Sequence, residues 1–174
     1  MQQIHGDNIV RVSAKDNGKT IPNCDALITN DPEVELAVRT ADCLPIRIRD
    51  VENHAVGIVH AGWRGLAKKI IRKTVEMMIK EFSSEPENLQ IFIGPHICKK
   101  HYEVKKDVSS KFAKYKVGKY MDLAGVAVLQ LTELGVKAKN IKIDKRCTFE
   151  DKNLFSYRGG GGAKRNIFIT KLVL

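Results

Sequence analysis

Cys43, His60 and His5 are the residues of this chain best suited to chemistry. They sit in three short motifs, Thr40-Ala41-Asp42-Cys43, His60-Ala61-Gly62-Trp63-Arg64-Gly65 and His5-Gly6-Asp7. One thiolate and two imidazoles form the donor set of a catalytic zinc site, whose open fourth position takes a water with a pKa lowered toward about 7. The intervals of 38 and 17 residues match no local zinc-finger spacing. A buried cysteine near two hydrogen-bonded histidines satisfies the same pattern. Cys43 with His60 also fits a nucleophile and its base, which leaves His5 without a part. His54, His96 and His101 compete as ligands on composition, although His54 reads as a turn residue.

Around this trio stand groups that suit anions and protons. Asp42 could orient a ligand or carry a proton, or simply cap amides at a strand end. Arg64, Arg158 and Arg165 are candidates for phosphate binding, because a planar guanidinium suits bidentate contact. Gly159 to Gly162 would let backbone amides approach an anion, or form an ordinary flexible loop. Trp63 either stacks on a flat substrate or packs the start of a helix. Cys147 reads as a small buried hydrophobe, and Cys24 and Cys98 have no evident partner.

The elements that must gather these residues follow from periodicity. Val-, Ile- and Thr-rich runs predict strands over 8–13, 26–29, 35–39, 45–49 and 55–60. From Leu66 to Phe82 the apolar period becomes helical, giving an amphipathic helix with its N-terminus near Arg64 and Gly65. A buried strand over 89–93 follows, then helices over 105–114 and 122–134. Asp122 is the N-cap of the last and Gly135 its stop. Further strands fall near 141–143 and 167–173. A hairpin centred between Val51 and Glu52 would pair residue i with 103 − i, setting Cys43 opposite His60 on one sheet face. Val-Glu is poor chemistry for a two-residue turn, and a slip of one would undo the facing.

The 174 residues, 43% hydrophobic, fit one α+β domain spanning 1–174, without internal repeats. No apolar run approaches the roughly 18 residues of a membrane span, and no signal-peptide core follows Met1, so the expected location is cytoplasmic, with no membrane partner. Four scattered cysteines without a CxxC pair suit free thiols or a metal ligand rather than a disulfide framework. The net charge of +10 is lopsided: residues 1–90 carry 12 Lys/Arg against 13 Asp/Glu, and 91–174 carry 18 against 7. Such a basic half suits a nucleic-acid surface or a field for anionic ligands. Its lysines lack the interleaved aromatics of a base-stacking platform, so a solvated surface is expected rather than a nucleic-acid partner.

Over nearly its whole length the sequence resembles the YfiH/YlmD-type family, also called the laccase-domain or multicopper polyphenol oxidase family. The resemblance rests on Gln3-Ile4-His5-Gly6, Cys24-Asp25-Ala26-Leu27-Ile28-Thr29, Thr40-Ala41-Asp42-Cys43-Leu44-Pro45 and His60-Ala61-Gly62-Trp63-Arg64-Gly65. It continues through Ile93-Gly94-Pro95, Tyr102-Glu103-Val104, Arg146-Cys147-Thr148 and Phe155-Ser156-Tyr157-Arg158, all in family order.

The resemblance implies mixed β-sheets packed together with helices outside. It implies His5, Cys43 and His60 as zinc ligands and purine nucleoside metabolism as the activity. That covers phosphorolysis of purine nucleosides and methylthioadenosine, and hydrolytic deamination of adenosine. Copper-dependent phenol oxidation, a cysteine hydrolase built on Cys43 and His60, and a basic nucleic-acid-binding protein are the alternatives. Within the first reading, Asp42 is the expected proton carrier, and Arg64, Arg158 and Arg165 the phosphate binders. Family members usually carry several dozen residues before the Gln-x-His motif, so a sheet edge and part of a pocket wall are expected to be missing. The paired arginines that usually follow Ser-Tyr appear here as Arg158-Gly159, with Lys164-Arg165 as compensation.

Overall fold

The computed structural model describes residues 1–105, 108, 112 and 115–172. Three sheets, one of them a two-stranded hairpin, and a helical layer build the described residues. The larger sheet has the order β1-β2-β5-β4-β6-β9, formed by Ile9–Arg11, Ala26–Thr29, Ala55–Ala61, Leu44–Asp50, Gln90–Ile93 and Ile141–Ile143. Its four inner strands pair antiparallel, while β1 and β9 pair parallel at the two edges. A second sheet joins β3 (Glu35–Thr40) to β10 (Asn166–Lys171), and β7 (Lys116–Val117) pairs with β8 (Tyr120–Met121). This is the mixed α+β arrangement expected from the sequence.

Strand β5 is buried at every residue, because both faces of the large sheet are covered. Ala55, Val59 and Ala61 enter one core with Ile70, Ile71, Val75 and Met78 of helix α2 (Ile70–Phe82). Val56 and Ile58 enter a second core with Leu36 and Val38 of β3. Helix α3 (Leu123–Thr132) closes the first core, with Asp122 Oδ1 accepting the Gly125 amide at 2.8 Å and Gly135 at φ +95° ending it.

Two expectations require correction. The single helix expected from Leu66 to Phe82 is two: α1 (Trp63–Ala67) and α2, separated by Lys69 at φ +61°. The break lets Leu66 and Ile70 both reach full burial, and Gln130 Nε2 donates to the Leu66 carbonyl at 2.9 Å. The β4–β5 register is Leu44 with Ala61 and Pro45 with His60, two residues away from the expected pairing. The cause is the turn. Asp50 is buried, and its carboxylate accepts the amides of Glu52 and Asn53 and the side chain of Asn53, which holds a four-residue loop over 51–54. Cys43 therefore lies across from Gly62, not His60. A slip of two keeps every side chain on its face, so Cys43 and His60 still share one side of the sheet.

Of the helix expected over 105–114, residues 106, 107, 109–111, 113 and 114 lie outside the described residues. The strand expected over 8–13 shortens to β1, that over 89–93 becomes β6, and that near 167–173 becomes β10, with residue 173 lying outside the described residues. Among the described residues no helix is long and apolar enough to cross a membrane.

Candidate active site

The antiparallel pairing brings the C-terminal end of β5 beside the N-terminal ends of β2 and β4. Extending the β2–β5 register by one residue sets Asp25 opposite His60, and the His60 amide donates to the Asp25 carbonyl at 2.7 Å. Their side chains meet as well, His60 Nδ1 lying 2.8 Å from Asp25 Oδ1. Asp25 is fully buried and also accepts the backbone amides of Ile4, His5 and Gly6 at 3.2, 3.0 and 2.7 Å. One carboxylate thus fixes the ring of one candidate ligand and the backbone of another. His5 sits at φ +57°, a left-handed conformation uncommon for histidine, and these amide bonds hold it there. Gln3 fastens the same segment to β3 by pairing its side-chain amide with the backbone of Arg39.

His5, Cys43 and His60 converge, their ligand atoms lying within 4.8 Å of one another. The imidazoles meet edge to face with centroids 4.8 Å apart. Because Nδ1 of His60 is committed to Asp25, Nε2 is the nitrogen left for an ion, the usual carboxylate–histidine arrangement behind a ligand. Burial pushes the Cys43 thiol up, but hydrogen bonds to His5 and His60 outweigh it and bring it down to about 7. Burial likewise pulls His60 down, yet Asp25 and Cys43 raise it to about 9. Burial raises the Asp25 carboxyl, and its bonds to His60, Gly6 and Ile4 leave it below the ordinary carboxylate range. A thiolate near neutrality, an oriented imidazole and a second imidazole fit a borderline divalent cation of the zinc class.

Gly62 is required beside them, because a Cβ there would lie 2.8 Å from Cys43 Sγ. Asp42 has φ +88° and binds three segments together. Its Oδ1 accepts the Thr148 hydroxyl at 2.7 Å, its Oδ2 accepts the Arg158 amide at 2.8 Å, and its carbonyl accepts the Ile97 amide at 3.1 Å. Asp25, not Asp42, is the carboxylate that touches a candidate ligand ring, and reading single motifs did not reveal it.

The trio opens into a cavity of about 690 Å³, within the range of small-molecule sites. All three expected anion binders, Arg64, Arg158 and Arg165, line it, and Arg39 joins them. Arg39 lies near the end of β3, and its backbone pairing with Gln3 makes it part of the wall. Trp63, Tyr102 and Tyr157 supply aromatic surface. The Arg64 guanidinium lies over Trp63 at 4.5 Å and that of Arg158 over Tyr102 at 5.4 Å, which restrains both cations. The glycine run is a folded turn: Gly161 donates to the Ser156 carbonyl at 2.8 Å, and Gly160 and Gly162 adopt positive φ. The remaining histidines stand apart. His54 is on the β4–β5 turn, His96 Nδ1 lies 2.8 Å from the Gly94 carbonyl, and His101 Nε2 lies 2.9 Å from Glu150.

A family model described as multi-copper polyphenol oxidoreductase laccase matches residues 1–168. A purine nucleoside phosphorylase of Deinococcus radiodurans is 34% identical over 171 residues, covering 93% of this chain and 64% of its own length. Another, from Xylella fastidiosa, is 33% identical and covers 91% of this chain and 65% of its own length. The chain therefore spans slightly less than two thirds of these curated relatives. Crystal structures of YlmD from Geobacillus stearothermophilus and a hypothetical protein YfiH from Bacillus licheniformis superpose with TM-scores of 0.89. They are 29% and 28% identical, each covering 98% of this chain and 72% of the solved chain. Matched along almost all its residues by sequence and by fold, this chain belongs to the multi-copper polyphenol oxidoreductase laccase family, the group of YfiH and YlmD.

Proposed function

We propose that this chain is a zinc-dependent purine nucleoside phosphorylase, with methylthioadenosine phosphorolysis and adenosine deamination as further reactions of the same cavity. The observation that carries this reading is the placement of His5, Cys43 and His60 in the wall of an arginine- and aromatic-lined cavity. Relatives named purine nucleoside phosphorylase support it. In phosphorolysis a phosphate oxygen bonds to the anomeric carbon of the ribose while the bond to the purine nitrogen breaks. The electron pair leaves with the base, which takes up a proton. Arg64 and Arg158, restrained on Trp63 and Tyr102, would present paired N–H donors to phosphate, with Arg39 and Arg165 adding charge. Asp42 is the proposed proton carrier to the base, and through the Arg158 amide it also positions that arginine's loop. Asp25 keeps the His60 ring oriented. A zinc ion held by His5, Cys43 and His60 would supply Lewis acidity toward an oxygen in the cavity. A multicopper centre finds too few ligands, since the chain has five histidines and three of them lie away from the trio.

A second reading has its own observation. Cys43, His60 and Asp25 form a chain of nucleophile, base and orienting carboxylate, with the thiol near 7. One assay separates the two. Metal-quantified protein is incubated with adenosine, with and without phosphate, and products are resolved by chromatography. Adenine formed only with phosphate supports the phosphorylase, and inosine supports the deaminase. No product above a Cys43→Ala control overturns both nucleoside activities. Turnover that survives chelation but not thiol alkylation favours the cysteine hydrolase.

A further inference from the structure

Beyond the Arg-lined cavity, a second group of donors gathers on the far side of the Asp42 loop. Cys98 Sγ, Cys147 Sγ and a Glu150 carboxylate oxygen lie within 4.8 Å of one another. We infer that Cys98, Cys147 and Glu150 form a second, structural cation site that takes a zinc-class divalent ion, with His101 orienting the carboxylate.

The donor set is chemically apt. Two sulfurs and one carboxylate oxygen suit a borderline ion of zinc type and suit calcium or magnesium poorly. The Cys98 amide donates to Cys147 Sγ at 3.1 Å, and such N–H···S bonds stabilise the thiolate form that a metal requires. His101 Nε2 lies 2.9 Å from Glu150 Oε1, the oxygen 4.0 Å from Cys98 Sγ, and its ring stacks on Phe149 with centroids 4.5 Å apart, so this oxygen is restrained beside the sulfur. Lys100 Nζ, 3.2 Å from the same oxygen, is an exposed cation that an incoming ion would displace. Burial is graded suitably: Cys147 is buried, Cys98 half-buried and Glu150 exposed, which gives an ion a way in.

The position gives the site a purpose. The Ile97 amide and the Thr148 hydroxyl both hold Asp42, and the Thr148 amide donates to the His96 carbonyl at 3.0 Å. An ion bridging Cys98 and Cys147 would lock residues 96–98 to residues 147–150 directly behind the loop that ends in Cys43. The divalent ion replaces the two thiol protons of Cys98 and Cys147, which leave to solvent, and no oxidant is needed.

The test reads metal directly and does not depend on turnover, so it can fail while the phosphorylase reading stands. Reduced, metal-stripped Cys43→Ser protein is titrated with cobalt(II), which reports thiolate ligation by a near-ultraviolet charge-transfer band. The expected result is about one equivalent bound with a two-thiolate band, which Cys98→Ser and Cys147→Ser each abolish or halve. Glu150→Gln should weaken binding about tenfold while keeping the band. A second measurement uses the unmodified sequence. Zinc should protect Cys98 and Cys147 from alkylation, read by peptide mass spectrometry, even where a variant fails to fold. Equal alkylation with and without zinc overturns the site. So does a Cys43→Ser protein with no thiolate band, or a Cys98–Cys147 disulfide whose reduction leaves cobalt uptake unchanged.

Discussion

Cys43 and Cys147 sit one residue from either end of a single side-chain hydrogen bond, from Thr148 to Asp42, yet the clusters around them are built differently. Cys43 is flanked by two imidazoles, one backed by a buried carboxylate, and its thiol is brought down to about 7. Cys98, the neighbour of Cys147, is pushed up to about 11 by burial and by the adjacent sulfur. The first cluster holds charge near neutrality before any ion arrives. In the second, Cys98 holds a proton that a cation must displace. The difference also follows backbone: the first is built at strand ends, with His60 inside β5, Cys43 just before β4 and His5 on an arm beside them, whereas loops between elements build the second. A thiolate set at the edge of a sheet suits chemistry, and a loop-borne pair suits fastening.

Breaking the first cluster should produce the largest effect. Asp25→Ala strips the partner from His60 and from three backbone amides, and should cost about 3–5 kcal/mol in chemical denaturation. It should also lower zinc affinity at the Cys43 cluster by at least about tenfold, measured by competition with a chromophoric chelator. The Cys98 cluster should keep its metal, and a parallel loss there would erase the contrast between strand-built and loop-built sites.

Proton competition sharpens the same contrast. Between pH 7 and 9 Cys43 is already a thiolate while His60 still carries its proton, so zinc binding there should release about one proton. As pH falls below about 7 the thiol protonates too, the release should rise, and affinity should fall more steeply. Calorimetry in buffers of different ionisation enthalpy reads this directly. The raised Cys98 thiol predicts a proton demand at the second cluster that continues to higher pH. A pH-independent affinity at Cys43 would remove the assigned ionisation.

Arg64→Ala should raise the KM for phosphate about tenfold with a smaller change in kcat, as expected for losing a charge-assisted contact, and Arg64→Lys should restore only part. Initial rates against phosphate concentration test it. The smallest effect belongs to Lys100→Ala. This exposed pair with Glu150 should leave the unfolding midpoint unchanged and slightly tighten cobalt binding at the second cluster.

Much of this was legible in the residues. Val-, Ile- and Thr-rich runs predicted the described strands except β7 and β8, and the period-two rule set Cys43 and His60 on the same face. The register itself was not legible, because Asp50 builds the turn by capping amides two and three residues ahead. Asp25 escaped because its partner is 35 residues away across a strand pair that no local pattern reveals. Lys69 escaped because a lysine at positive φ leaves no signal in the hydrophobic period. Cys98 and Cys147 met only through the packing of loops 49 residues apart.

His5 reaches its place on a short arm whose amides are held by one carboxylate and whose Gln3 is laced to β3. That arm lies outside the sheets, whereas His60 lies inside β5, so His5 can move by local opening while Cys43 and His60 stay in register. The consequence is kinetic. Escape of an ion from this cluster is timed by the arm, not by unfolding of the domain, and zinc transfer to a chelator should reach a rate ceiling that added chelator no longer raises. Gln3→Ala should lift that ceiling while leaving global stability nearly unchanged.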